Sequence, residues 1–164
     1  MSDEDVAAAA RRVLDACRAH GLKVATAESC TGGLVVGALT DIAGSSDVVE
    51  RGFVTYSNEA KQEMLGVDTA TLAARGAVSR DTVEAMARGA IARSAADLAV
   101  AVTGIAGPGG GTADRPVGLV HFAAAARHGR LVHEERRFGD IGRAAVRRES
   151  VLVALAMLKK LATL

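Results

Sequence analysis

The chain has 164 residues, with Lys plus Arg at 20 and Asp plus Glu at 19. That length suits one compact domain and is short for two; the charge balance excludes bulk electrostatic capture of nucleic acid. Its aromatic residues are Phe53, Phe122, Phe138 and Tyr56 alone, too few for a platform on which single-stranded bases stack.

The chain opens "MSDEDVAAAARR", acidic before it turns apolar. A secretory signal has the reverse order, basic and then apolar. The longest apolar runs stop well short of membrane-spanning length. Cys17 and Cys30 are too few for a disulfide framework or a four-cysteine zinc site. These features give the expectation of a cytoplasmic protein with no membrane partner. From Asp3 to His20, Val6, Ala9, Ala10, Val13, Leu14 and Cys17 recur at helical spacing, and Gly21 supplies a stop.

"LKVATAES" predicts a short strand, and "LVVGALTDIA" a buried helix ending at Gly44. "VVERGFVTYS" alternates as a strand does, with Gly52 marking a bulge. Asn58 or Ser57 is placed to cap a short helix, "EAKQEMLG", and "TATLAARG" predicts another. Ser79 stands as N-cap of a longer helix, "RDTVEAMARGAIARSA". "DLAVAVTG" is apolar throughout, like a strand buried on both faces, and a glycine-rich loop runs from Gly104 to Thr112. "PVGLVHFAAAA" and "LVHEERRF" predict two strands around a turn with His128-Gly129 at its tip. The last helix is predicted over Arg143 to Leu161. This alternation predicts an α/β fold: a three-layer α/β/α sandwich with a central mixed sheet. Ligands in such folds collect at the carboxyl ends of strands, where both glycine-rich loops should lie.

"AESCTGG", from Ala27 to Gly33, joins a strand to a helix and carries two possible nucleophiles. Unpaired backbone amides at such a junction can hold a negative oxygen. Gly32 and Gly33 permit close approach of a substrate. A second reading of the same stretch is that Ser29 or Thr31 only caps the helix. Serine needs a base to become a nucleophile. There is no G-x-S-x-G elbow, and His20, His121, His128 and His133 form no H-E-x-x-H or H-x-H pair, so spacing supports neither an ordinary triad nor a metal site. Lys61, after a strand that ends near Tyr56, is the remaining candidate base; a solvated lysine is the other reading. Cys30 is the rival nucleophile, though consecutive strand residues face opposite sides, which makes it a small buried apolar group. "TGIAGPGGGT" resembles a phosphate cradle without the G-K-[ST] ending of a P-loop. Arg143 and Arg147 lie one helical turn apart, either to hold an anion or to form a solvated face.

In this order, "TAESCTGGLV", "GFVTYSNEAKQEMLGV", "GAVSRDTVEAMARGA", "AVTGIAGPGGGT" with "PVGLVHF", and "FGDIGRAAVRRES" resemble the C-terminal domain of the CinA competence/damage-inducible family. The resemblance runs from about Val6 to Leu161, with Arg115 where a lysine is usual before "PVG". It implies a single amidase domain over 1–164, in stand-alone form, acting on nicotinamide mononucleotide. The products would be nicotinate mononucleotide and ammonia. It implies Ser29 as nucleophile, Lys61 as general base and Tyr56 as a further catalytic position. Cys30, Thr31, Gly32, Gly33, Thr103, Gly104 and Arg143 would bind the substrate, with Arg143 on a phosphate or orienting Tyr56 and Lys61. The implied partner is a small nucleotide; the implied assembly is a homo-oligomer; no cofactor or metal is implied. The alternatives are a protein-binding module tied to competence or DNA damage, and an amidase for another nicotinamide-containing compound.

Overall fold

The computed structural model describes residues 3–164. Helix α1 (Asp3–His20) leads into β1 (Val24–Glu28), α2 (Leu34–Thr40) and, after a 3-10 turn at Ser45–Asp47, β2 (Val49–Val54). Three helices follow: α3 (Asn58–Leu65), α4 (Thr69–Arg75) and α5 (Arg80–Ala92). Then come β3 (Leu98–Gly104), β4 (Leu119–Ala126), β5 (Leu131–Arg137) and α6 (Arg143–Ala162). The sheet order is β2-β1-β3-β4-β5. β1 runs parallel to β2 and β3, whereas β4 and β5 are antiparallel neighbours. The sheet is mixed, as the alternation predicts.

The two faces of the sheet differ in size of side chain. Val24, Leu98, Val100, Val102, Val120 and Phe122 pack under α1, α2 and α6. On the reverse face, Ala25, Ala27, Ala99, Ala101, Ala123 and Ala125 meet Val83, Met86, Ala87 and Ala90 of α5, with Leu65 of α3 and Leu72 of α4 alongside. Two cores therefore flank one sheet, giving the three layers. Alternation of strand side chains sorts large from small, and the alanine face lets α5 approach closely. The same closeness reaches α3: a Cβ added at Gly89 would sit 2.0 Å from the Leu65 carbonyl oxygen.

Several boundaries differ from the sequence expectation. α2 stops at Thr40 rather than running to Gly44, because the Thr40 hydroxyl donates to the Val36 and Gly37 carbonyls and the chain turns. Gly52 is not the bulge; the register skips Glu50, between Val49 and Arg51. Gly52 is instead a close-packing position, where a Cβ would meet Thr26 and Val36 at 3.0 Å. β4 begins at Leu119, since Pro116 to Gly118 forms a turn in which Gly118 (φ 92°) donates to Ile105. Ser57, not Asn58, caps α3, its hydroxyl accepting from the Ala60 amide at 3.0 Å.

Neither Ser29 nor Thr31 caps α2. Gly33 stands at its N-cap without a side-chain bond, and the preceding strand supplies the acceptor. Glu28, fully buried, accepts from the amides of Gly33 (3.2 Å), Val35 (2.9 Å) and Val36 (3.0 Å). Its carboxylate also accepts from the hydroxyls of Thr26 (3.2 Å) and Thr31 (2.7 Å). Charge and donors match: the helix start presents positive partial charge and the carboxylate answers it. Replacing one oxygen by NH2 sets a donor against donors. Glu28→Gln is therefore expected to lower unfolding free energy by about 3 kcal/mol in urea denaturation; wild-type stability would show that the carboxylate is not the cap that orders this loop.

Candidate active site

The carboxyl ends of β1, β2 and β3 lie side by side, so Ser29 and Tyr56 emerge just past their strands beside Thr103, the next-to-last residue of β3. They line a cavity of about 290 Å³ together with Cys30, Lys61, Gly104 and Arg143. The far wall comes from Ala77 and Val78, ahead of α5, and from the loop at Gly107 to Gly110. Thr103 fixes that wall: it is 1% exposed, and its hydroxyl donates to the Ala77 carbonyl at 2.9 Å.

Lys61 sits in the first full turn of α3, which Ser57 caps and Gly66 closes at φ 68°. The helix turns the side chain inward, and it is 1% exposed. Its Nζ lies 3.0 Å from Ser29 Oγ, 2.9 Å from the Thr55 carbonyl and 3.3 Å from the Tyr56 carbonyl. No carboxylate lies within ion-pair distance of it among the described residues. Burial therefore pushes the ammonium below its ordinary range. The neighbours decide how a neutral amine is satisfied. Two carbonyls accept only, so they take its two N–H groups, and the lone pair is left facing the Ser29 hydroxyl.

Cys30 is a poor rival. Desolvation drives its thiol up to about 12, so the reactive thiolate is suppressed. Its carbonyl accepts from Arg147 Nε at 3.1 Å, and the Thr31 carbonyl accepts from Arg147 Nη2 at 3.3 Å. Arg143, one turn earlier on α6, donates to the Gly107 carbonyl (2.8 Å) and the Tyr56 hydroxyl (3.1 Å). The phenol of Tyr56, 63% exposed, thus belongs to the cavity mouth. Only its backbone carbonyl reaches Lys61.

The structure brings together Ser29, Cys30, Tyr56, Lys61, Thr103, Gly104 and Arg143. The Thr31 side chain, Gly32 and Gly33 do not line this cavity. Thr31 is fully buried and turned to Glu28. Gly32 and Gly33 have φ of 57° and 103°, and Gly33 lines a different groove, between α2 and α6. Their amides are also occupied, Gly32 by the Ser29 carbonyl and Gly33 by Glu28. His121 and His133 contact each other at 2.9 Å rather than the serine. Sequence reasoning missed Glu28 and the hold of Arg147 on the loop. The available signals were a lone acid closing an apolar strand and a second arginine at i+4.

A family model described as the CinA C-terminal domain matches residues 6–162. The chain is 50% identical over 159 residues to the nicotinamide-nucleotide amidohydrolase PncC of Escherichia coli (strain K12), covering 96% of this chain and 95% of that one. A CinA-like protein of Geobacter sulfurreducens is 49% identical over 143 residues, covering 87% of this chain and 34% of its own length. Among solved structures, the competence/damage inducible protein CihA from Agrobacterium tumefaciens superposes with a TM-score of 0.94 at 60% identity, covering 96% of this chain and 95% of that chain.

The buried amine has a consequence for stability that needs no substrate. Between its lowered folded pKa and the ordinary 10.5, the unfolded chain binds a proton that the folded chain does not. Stability contributed by Lys61 therefore rises with pH across that window. The difference in unfolding free energy between wild type and Lys61→Met should grow in favour of wild type as the pH is raised toward 10.5 in urea titrations. A difference that stays flat would mean that the folded amine remains charged.

Proposed function

The chain belongs to the CinA C-terminal domain family, and from that premise we propose that it hydrolyses the carboxamide of nicotinamide mononucleotide to nicotinate mononucleotide and ammonia. We read residues 1–164 as one amidase domain, acting in the cytoplasm and as a homo-oligomer, with a small nucleotide as its partner. The observation that carries the reading is the buried Lys61 Nζ at 3.0 Å from Ser29 Oγ, with no carboxylate within ion-pair distance among the described residues.

Neutral Lys61 takes the proton of Ser29, and the alkoxide attacks the carboxamide carbon. The carbonyl oxygen becomes the oxyanion, held by backbone amides of the Cys30–Thr31 loop. The Cys30 and Thr31 amides have no oxygen acceptor among the described residues, which leaves them available. Protonated Lys61 returns its proton to the amide nitrogen as the C–N bond breaks, and ammonia leaves. Water then attacks the nicotinoyl ester; Lys61 takes its proton and gives it back to Ser29 Oγ as the acid departs. Lys61 acts without the Tyr56 phenol as relay, since its contact there is the carbonyl. Tyr56 instead shapes the mouth, and Arg143 orients it while facing the incoming nucleotide. Thr103 and Gly104 line the pocket beside the reacting carbon.

Ammonia release from nicotinamide mononucleotide tests this directly. Wild type is expected to turn over, Ser29→Ala to lose at least about 10³-fold in kcat, and Cys30→Ala to stay within about tenfold. Lys61→Arg should fall with the serine variant, because guanidinium does not give up its proton. Activity in wild type should rise with pH along a limb set by Lys61, whose pKa lies below 10.5. Full turnover by Ser29→Ala would remove the serine mechanism. Folded wild type that releases no ammonia would move the substrate to another nicotinamide-containing amide or the role to binding.

A further inference from the structure

We propose that Arg147 is a positioning residue for the oxyanion site, and that it works by fixing the Cys30–Thr31 peptide from behind. The inference rests on the Ser29 amidase reading.

Arg147 does not line the Ser29 cavity. It lies in the groove shared with Gly33 and Leu34, on the α6 side of the sheet. Lys61 approaches Ser29 from α3, which packs with the opposite layer. The guanidinium spans two successive carbonyls, with Nε on Cys30 and Nη2 on Thr31. A trans peptide points its C=O and N–H in opposite directions. Holding the Cys30 carbonyl toward α6 therefore turns the Thr31 N–H away from α6, to the side where Ser29 meets Lys61. The Cys30 and Thr31 amides are the two in this loop without an oxygen to serve among the described residues, and of these the Thr31 amide shares its peptide with the carbonyl that Arg147 holds: Ser29 donates to Val102, Gly32 to Ser29, Gly33 to Glu28.

Two further observations bear on how Arg147 acts. Arg18, Arg51, Arg75, Arg80, Arg136 and Arg137 each face a carboxylate. Arg147 faces none within ion-pair distance among the described residues, so its charge falls on the two peptides. A cation on a carbonyl polarises the peptide and strengthens its N–H as a donor. Second, the loop makes room for it: a Cβ at Gly32 would come within 3.3 Å of Arg147 Nη2. Glu28 holds the loop by its amides and the Thr31 hydroxyl, and Arg147 holds it by its carbonyls. Without the arginine, the Cys30–Thr31 peptide is free to rotate and the donor is no longer preorganised.

The test uses the full chain and two readouts. One is the rate at which a fluorophosphonate labels Ser29, whose phosphoryl oxygen needs the same donor; the other is ammonia release from nicotinamide mononucleotide. Arg147→Ala, folded by circular dichroism and melting, should label on the order of 10-fold or more slower. Its kcat should fall by a similar factor with KM little changed, and the Lys61 limb of the pH profile should stay where it is. Arg147→Lys keeps the charge and packing but lacks the planar fork that bridges two carbonyls, so it should remain slow while melting like wild type. If Arg147→Ala fails to fold, Arg147→Lys alone decides. Wild-type labelling and kcat in a folded variant overturn the role. A loss confined to KM, or a shifted pH limb, overturns it as well, since those belong to substrate binding or to Lys61. Labelling that slows while no variant releases ammonia removes the substrate reading and supports the Arg147 role. Ammonia release unaffected by the variants does the reverse, and wild type that neither labels nor turns over overturns both.

Discussion

The Glu28 carboxylate is the contact on which the site depends. A buried charge is costly unless it is fully hydrogen-bonded, and here three amides and two hydroxyls surround it. That arrangement replaces water with fixed donors and offsets the cost. It also couples the last residue of β1 to the first turn of α2. The five residues between them, Ser29 to Gly33, have no freedom to wander. Gly32 and Gly33 supply the positive φ values that so short a connection needs. Ser29 is therefore held by a strand below it and a capped helix above it.

Lys61 is the opposite case: a buried amine with no carboxylate within ion-pair distance among the described residues. Its desolvation is not answered by charge but by two carbonyls and a hydroxyl. Folding around it favours the neutral amine, which is the form a base requires. The fold sustains this because α3 is short and capped at both ends by Ser57 and Gly66, leaving little slack in where the side chain goes. Stability is given up at the position where reactivity is gained.

The contrast between the two faces of the sheet sets the depth of the cavity. Alanines on β1, β3 and β4 allow α5 to lie close, which carries Ala77 and Val78 to the rim. Thr103 continues that row on β3 and ties the rim down through Ala77. On the other face, valine, leucine and phenylalanine pack against α6, and its arginines extend across the sheet end to Tyr56, Gly107 and the Cys30–Thr31 carbonyls. Each helical layer thus contributes one half of the site: Lys61 from one side, Arg143 and Arg147 from the other.

The sequence by itself determined the element order and the mixed α/β class, because apolar period, glycine stops and capping serines are local signals; Ser29 and Lys61 stood as candidates, and their pairing as nucleophile and base came only with the family resemblance. Ser79 as the cap of α5 and Gly129 at the hairpin tip follow from a few neighbouring residues. It did not determine which polar groups meet. Glu28 carried no reading of its own, Arg147 stood either to hold an anion or to form a solvated face, and Thr31 to Gly33 were expected to line the pocket. Their partners lie on other elements: Arg147 is 117 residues from Cys30 and Lys61 is 32 from Ser29. Hydrogen bonds of that span depend on the distance and orientation of packed layers, which only the tertiary structure sets. The direction of a single peptide plane, on which the Thr31 donor depends, has no local sequence signal, because that conformation is chosen by what grips the loop from both sides.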